Sequence, residues 1–147
     1  MPPKGRIIGI AVRTEKLGPM REIQRAEATL GGGITGDIEV KPHRGITLLS
    51  SEQWAETLRE LGADLPWHTR RANVLVEGLR PSGLVGLTVR LGSVELHIHG
   101  ETKPCALMDV YHDGLQAALA PDMRAGVHGQ VICAGSFAVG DSITVVD

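Results

Sequence analysis

The sequence predicts a mainly β protein, folded as a closed or semi-closed β-barrel with one or two short helices. About eight short runs are rich in β-branched residues or alternate between polar and apolar residues, as strands do. Glycine-containing turns separate many of these runs, and glycine accounts for 19 of the 147 residues. Short strands joined by frequent turns are typical of barrels. The length favours a single domain over residues 1–147.

The strands are predicted along the whole chain and alternate with loops. Their ranges are 6–12, 22–28, 45–49, 73–76, 87–91, 94–99, 129–134 and 142–146. The runs 87–91 and 94–99 read as a hairpin around Gly92 and Ser93. Residues 31–37 contain too many glycines for regular structure, so a loop is predicted there.

One helix is predicted at Ser51–Leu61. Ser50 and Gln53 have the spacing of a capping box, in which a serine side chain accepts from a backbone N–H three residues later. Apolar residues then recur at helical spacing, at Trp54, Leu58 and Leu61. Gly62 is placed to end the helix.

A second helix is predicted within Ala106–Leu119, with Pro121 beyond its end. Gly114 lies inside this segment and disfavours a continuous helix, because glycine costs about 1 kcal/mol relative to alanine in a helix interior.

Composition narrows the function class. A net charge of −2 and only four aromatic residues indicate neither a long basic surface nor a base-stacking platform for nucleic acid. The sequence contains no run of 18 apolar residues, the length needed to span a membrane, and we expect no signal peptide. Cys105 and Cys133 lie 28 residues apart, so we expect reduced thiols and a cytoplasmic protein.

Cys105 is the most informative residue of the chain. It follows Pro104, which fixes the backbone and cannot donate a ladder hydrogen bond, just after a predicted strand. Lys103 favours the thiolate if the two side chains face the same way. A thiolate can be a nucleophile, a sulfur carrier or a ligand for a soft metal, and a small buried residue is the alternative. Cys133 lies in an apolar strand and is expected in the core.

His97 and His99 are two residues apart on a predicted strand, so they face the same side. Such a pair can bind zinc or iron when further ligands are fixed nearby. Glu101 follows His99 too closely for the cupin spacing. Exposure of both histidines to solvent near the strand end is therefore the favoured interpretation.

Basic residues flank the predicted strand ends and loops, at Lys41, His43, Arg44, Arg70, Arg71 and Lys103. Arginine at such junctions suits bidentate recognition of phosphate or carboxylate groups. Solvated surface charge is the alternative for each of them taken alone. Asp37 and Asp141 both follow a glycine, and we expect a turn role for each.

These pieces, in this order, resemble the MOSC family, named for the C-terminal domain of molybdenum-cofactor sulfurases. The resemblance covers most of the chain and rests on five motifs. They are the Gly-x-x-Gly-Asp loop at Gly33–Asp37, the Arg-x-x-x-Leu-Leu segment at Arg44–Glu52, the Arg-x-Asn strand at Arg71–Gly78, the pair Pro104-Cys105, and the closing Gly-x-x-x-x-Gly-Asp at Gly135–Asp141.

The resemblance implies a β-barrel with a pocket for the pyranopterin molybdenum cofactor. It implies that Cys105 is the catalytic residue, which ligates molybdenum or carries sulfur destined for it. The expected cofactor-binding residues are Arg71, Asn73, Arg44, Lys103, Gly36 and Asp37. The positive side chains of Arg71, Arg44 and Lys103 should line one pocket with Cys105.

The resemblance also bears on activity and partners. Some family members reduce N-hydroxylated compounds, and others are fused to a pyridoxal-phosphate cysteine desulfurase. This chain is too short to include that desulfurase and has no cysteine set for an iron–sulfur cluster. We therefore expect an electron donor or a cysteine desulfurase as partner, and a small-molecule substrate. A non-catalytic cofactor carrier and a His-x-His metal-binding barrel are the alternatives.

Overall fold

The computed structural model describes residues 4–38 and 44–146. Within these ranges the protein is mainly β, with ten strands and three short α-helices. The strands are β1 Lys4–Arg13, β2 Met20–Glu22, β3 Arg25–Ala28, β4 Ile46–Ser50, β5 Val74–Glu77, β6 Thr88–Leu91, β7 Val94–Glu101, β8 Val127–Cys133, β9 Gly135–Ala138 and β10 Ser142–Val146. The helices are α1 Ser51–Leu61, α2 Leu107–Tyr111 and α3 Leu115–Ala118.

Seven strands close into a barrel, as the sequence predicted. Their order is β10-β6-β7-β8-β4-β5-β1, and β1 pairs again with β10 to complete the circle. The β4–β5 pair is parallel, and the other pairs of the barrel are antiparallel. The last residues of β1 continue past the barrel and pair with β2. Strands β3 and β9 form a separate two-stranded sheet.

The barrel interior is filled by alternate residues of its strands. Along β7, Val94, Leu96 and Ile98 are fully buried, whereas the residues between them point outward. The β6–β7 hairpin predicted from the sequence is confirmed, with Leu91 opposite Val94. Because the apolar residues alternate along the strands, one face of each strand supplies the core.

Helix α1 has the bounds that the sequence predicted. The Ser50 hydroxyl accepts from the backbone N–H of Gln53 at 3.1 Å, which satisfies a donor at the helix start. Gly62 ends the helix with φ of 63°, in the left-handed region. Trp54 of α1 belongs to a second apolar cluster, outside the barrel interior, together with Leu49 and Leu115. None of the helices in the described part of the chain is long and apolar enough to cross a membrane.

Two predicted elements are divided in the structure. The run 22–28 splits into β2 and β3, which pair with β1 and β9 respectively, because the chain leaves one sheet for the other between them. The segment 106–119 forms α2 and α3 rather than one helix. Gly114 separates them with φ of 87°, a left-handed conformation that an α-helix does not contain.

The prediction that Cys133 lies in the core is wrong, because its side chain is exposed. The β7–β8 ladder pairs Leu96 with Val131 and Glu95 with Cys133, so Ile132 has no partner and forms a bulge. An extra residue shifts the inside–outside alternation by one. Without it, Cys133 would continue the buried series of Val127 and Val131.

Candidate functional site

A cavity of about 820 Å³ opens at one end of the barrel, beside Cys105. Six of the described residues that line it are positively charged, and none is acidic. The six are Arg13, Lys16, Arg44, Arg70, Arg71 and Lys103. The volume is within the range of roughly 300–1,000 Å³ that small-molecule sites occupy. The charge of the lining favours an anionic ligand.

Cys105 is placed by the turn between β7 and α2. Beyond the end of β7, the backbone N–H of Thr102 donates to the Gly126 carbonyl at 2.9 Å, which extends the contact with the neighbouring chain segment. The Cys105 carbonyl then accepts from the backbone N–H of Met108 at 3.0 Å, at the beginning of α2. The side chain of Cys105 is exposed and lines the cavity. Its exposure excludes the alternative interpretation of Cys105 as a small buried residue.

Arg70 is a buried cation in the cavity wall, with 6% of its surface exposed. Its guanidinium donates to the backbone carbonyls of Ala125 at 2.9 Å and Thr102 at 3.1 Å. No carboxylate of the described residues forms an ion pair with it. Burial lowers the pKa of Arg70 to about 10; the field of Cys105 opposes this shift and the positive charge of Arg44 adds to it. Arg70 therefore retains its charge at neutral pH, close to Cys105.

Arg71 connects the cavity to the loop between β1 and β2. Its backbone has φ of 66° and ends the short 3₁₀ turn Trp67–Arg70. A non-glycine residue in this left-handed region is strained by about 1–2 kcal/mol. Its guanidinium donates to the Gly18 carbonyl, so the strained residue fixes the loop that carries Lys16 to the cavity.

Behind the wall lies a buried polar network centred on Asp37. Its carboxylate accepts from the Arg13 backbone N–H at 2.7 Å, and from the Arg13 side chain at 3.1 Å and 2.9 Å. The Asn73 amide also donates to Asp37, at 3.1 Å. The Asn73 carbonyl oxygen accepts from the backbone N–H and hydroxyl of Thr47, and its amide donates to Ala11. Asp37 and Asn73 thus hold Arg13 and Thr47, which line the cavity.

The structure divides the predicted cofactor-binding residues into two groups. Arg71, Arg44 and Lys103 line the cavity together with Cys105. Asp37 and Asn73 lie behind its wall. Gly36 is in the turn that leads to Asp37 and has φ of 94°, a conformation that favours glycine. Lys41 and His43, two members of the predicted basic group, lie outside the described residues.

Three cavity cations were absent from the predicted cofactor-binding set. The sequence prediction includes Arg70 only in the basic group, and it includes neither Arg13 nor Lys16. Arg13 ends β1, and Lys16 follows in the next loop. The rule that selected the other basic residues, a position at a strand end or loop, applies to both of them equally.

His97 and His99 lie on the outer face of β7. The His97 ring shares a hydrogen bond with the Thr88 hydroxyl at 3.1 Å, and the His99 ring shares one with the Gln130 side chain at 3.2 Å. Their rings lie 5.2 Å apart and nearly perpendicular. Over residues 4–38 and 44–146, no group of three or more histidine, cysteine or acidic side chains is placed to hold a metal ion. The described residues give no support to a His-x-His metal centre.

The fold and the cavity together define a class: a closed β-barrel with a thiol at the edge of a strongly cationic pocket. The sequence matches the MOSC domain over residues 35–144, and the chain belongs to the MOSC family. No curated protein matches the sequence.

Solved structures show the same fold. The YuaD protein from Bacillus subtilis is 21% identical, with a TM-score of 0.80 over 97% of this chain and 95% of that one. YiiM from Geobacillus stearothermophilus is 15% identical, with a TM-score of 0.81 over 97% of this chain and 75% of that one. YiiM from Escherichia coli is 16% identical, with a TM-score of 0.74 over 97% and 70% of the two chains. At these identities the likeness establishes the fold alone.

Proposed function

We propose that this protein binds the pyranopterin molybdenum cofactor in the cationic cavity and that Cys105 either ligates the molybdenum or carries sulfur destined for it. One observation carries the proposal. An exposed thiol opens into a cavity whose described lining has six cations and no acid. A soft thiolate suits a ligand or sulfur carrier for molybdenum, and the cofactor's phosphate requires positively charged donors.

The residues present fit such an anionic group. Burial of a charge without a partner is expensive, and removal of one partner from a buried pair costs about 3–5 kcal/mol. Arg70 is buried, yet its acceptors among the described residues are backbone carbonyls. An anion in the cavity would offset this cost directly. The cavity is also large enough for a ligand of the cofactor's size.

The side chains have distinct tasks in this proposal. Arg71 and Arg44 would bind anionic groups through their planar forks, and Lys103 would act as a mobile point charge. Behind the cavity wall, three residues would hold the lining side chains in place: Asp37, Asn73 and Gly36 in its turn. When bound, the cofactor supplies the redox or sulfur-accepting chemistry, while the protein orients it and sets its electrostatic surroundings.

Two activities are consistent with a cofactor held beside an accessible cysteine. The protein is either a sulfur carrier or a reductase of N-hydroxylated compounds, and it draws on a cysteine desulfurase or an electron donor. Both activities fit a reducing cytoplasm, where an exposed thiol stays reduced. Assays with a desulfurase and with a reducing partner separate them. Cofactor binding without turnover in either assay would indicate a carrier.

The test is elemental and pterin analysis of protein purified from a host that makes the cofactor. We expect molybdenum and pterin in the wild type and in Cys133→Ser. Cys105→Ser should lose molybdenum if Cys105 ligates the metal, because a hydroxyl is a poor donor for a soft metal, and should lose sulfur transfer if Cys105 is the carrier. Cys133→Ser is a matched control, since both cysteines are exposed. Full retention of both molybdenum and sulfur transfer by Cys105→Ser, or no molybdenum in the wild type, would contradict the proposal.

A further inference from the structure

The cavity mouth has an exposed apolar residue on one side. Leu17 lies in the loop between β1 and β2, lines the cavity and has 65% of its surface exposed. Its backbone has φ of 60°, a left-handed conformation that strains a leucine by about 1–2 kcal/mol. The neighbouring Gly18 carbonyl accepts from the Arg71 guanidinium. The loop is therefore fastened to the cavity wall while its leucine faces solvent.

Helix α2 forms the other side of the mouth. Leu107 lines the cavity, and Val110 and Tyr111 follow it by three and four residues, on the same face of the helix. Val110 is 77% exposed and Tyr111 is 37% exposed. This face therefore carries apolar surface from the cavity wall out to the protein surface.

Positive charge surrounds these apolar side chains. Lys16, Arg44 and Lys103 are exposed and line the cavity. None of the three forms an ion pair with a described residue. Acids also lie nearby but outside this lining. Glu15 precedes Lys16, and Glu101 and Asp109 line a second, smaller cavity that Lys103 also lines. The Asp109 carboxylate accepts from the backbone N–H of Gln116.

Isolated exposed apolar residues are ordinary on protein surfaces. Here they flank the opening through which Cys105 would be reached, beside cations that form no ion pair with a described residue. A second copy of the chain would bring like charges together at this rim, which disfavours self-association there. An acidic partner is complementary to it, and such complementarity raises association rates and excludes wrong partners.

We propose that this rim, made of Lys16, Leu17, Arg44, Lys103, Val110 and Tyr111, is the docking surface for an acidic protein that serves the cavity. The inference rests on the proposed function, because it gives the expected electron or sulfur donor a place to bind. The apolar pair Leu17 and Val110 would make the close contact, and the cations would steer the encounter.

The probes are an acidic flavodoxin and an acidic ferredoxin, with basic cytochrome c as the charge control. Each is titrated into isotope-labelled protein while amide chemical shifts are followed. We expect shifts at Leu17, Lys103 and Val110 with at least one acidic probe, and none with cytochrome c. The affinity should fall as salt is raised, because exposed charges are screened.

Val110→Glu and Ile132→Glu form the matched pair of variants. Ile132 is an apolar residue near the end of β8 that lies away from the cavity. Its exposed fraction is 45%. Val110→Glu should weaken binding about tenfold or more, since it replaces an apolar contact by a charge like that of the partner. Ile132→Glu should have no effect. Shifts centred elsewhere, equal effects of the two variants, or no binding of either acidic probe would overturn the proposal.

Molybdenum content separates this inference from the function on which it rests. Val110 does not line the cavity, so Val110→Glu should retain as much molybdenum as the wild type. Retained molybdenum without docking would overturn the docking surface alone. Docking by wild-type protein that retains no molybdenum would overturn the cofactor assignment and leave the surface supported.

Discussion

Cys105 and Cys133 lie at opposite ends of the β7–β8 ladder. Cys105 follows the end of β7, whereas Cys133 ends β8 opposite Glu95, near the beginning of β7. Both side chains are exposed. Cys105 opens into the cationic cavity, but the Cys133 sulfur lies 3.8 Å from the carbonyl of its own neighbour, Ala134. Exposure is common to both thiols, and the electrostatic surroundings distinguish them.

The two ends of the ladder differ in the chain segments that surround them. The cavity end collects side chains from distant segments, among them Arg13, Arg44, Arg71 and Lys103. At the other end, two tight turns pack against each other, the β6–β7 turn at Gly92-Ser93 and the β8–β9 turn at Ala134. There the Ser93 hydroxyl donates to the Ser136 carbonyl at 3.2 Å and accepts from the Ser136 N–H at 2.9 Å. Convergence of distant loops produces a binding cavity, whereas closely packed turns stabilise the fold.

Substitutions in the two Gly-Asp motifs, Gly36-Asp37 and Gly140-Asp141, should give the largest difference in stability. Asp37 supports the cavity, whereas the Asp141 carboxylate accepts from the Ala138 N–H at 2.9 Å, in the turn after β9. Asp37→Ala should lower the free energy of unfolding by about 3 kcal/mol, because it leaves a half-buried arginine without its carboxylate. Asp141→Ala should cost about 1 kcal/mol, the worth of one hydrogen bond.

Equilibrium urea unfolding measures both losses. Two results would contradict the assignment of Asp37 to the support of Arg13. One is equal destabilisation by the two substitutions. The other is full stability of Asp37→Ala with Arg13 still fixed in place.

Alkylation chemistry compares the two thiols directly in cofactor-free protein. Accessibility alone cannot rank them, since the expected shielding of Cys133 is absent. Iodoacetate is anionic and iodoacetamide is neutral, so the ratio of their rates reports the local potential. We expect this ratio to be about tenfold higher at Cys105 than at Cys133 at low salt, because a cationic cavity concentrates anions.

Mass spectrometry of the two cysteine peptides follows each rate. The difference between the ratios should shrink toward one at about 0.5 M salt, where exposed charges are screened within a few ångströms. Ratios that agree at low salt would show that the cavity cations do not act on the thiol. A salt-independent difference would point to shape rather than charge.

The sequence predicted the features that depend on local signals. The serine cap and the terminal glycine of α1 act within a few residues, and the β6–β7 hairpin follows from alternation on both sides of Gly92-Ser93. The barrel and its family followed from many such signals in order. Cys133 was misplaced because the bulge at Ile132 is defined by the partner strand β7, which local sequence does not reveal.

The sequence predicted which residues belong to the candidate site better than it predicted which of them line the cavity and which lie behind its wall. Cys105, Arg71, Arg44 and Lys103 were expected in one pocket and are brought to one cavity. A motif does not indicate which side of a wall its residues occupy. Asn73 thus shared a strand motif with Arg71, although its side chain points toward Asp37, behind the cavity wall.

The smallest expected effect concerns the ion pairs at the two ends of the ladder. Arg124, next to the cavity residue Ala125, donates to Glu60 at 2.6 Å and 3.0 Å and to Glu56 at 2.7 Å. The hydrogen bond from Arg124 lowers the pKa of Glu60 below the usual 4.5, and burial opposes this shift. At the other end, Arg90 pairs with Glu95 at 3.2 Å on the surface.

A carboxyl whose pKa is lowered by folding stabilises the protein above its unfolded pKa. This contribution is complete at neutral pH and is lost as the pH falls below about 4.5, through the lowered pKa of Glu60. Arg124→Met should therefore reduce the loss of Tm between pH 7 and about pH 3. Arg90→Met should change it less, because Arg90 is half exposed whereas Arg124 is buried, and pairs between exposed side chains are worth about 0–1 kcal/mol. Thermal unfolding at both pH values measures the two variants, and an equal drop in the Tm of Arg124→Met at both would show that this pair does not couple stability to pH.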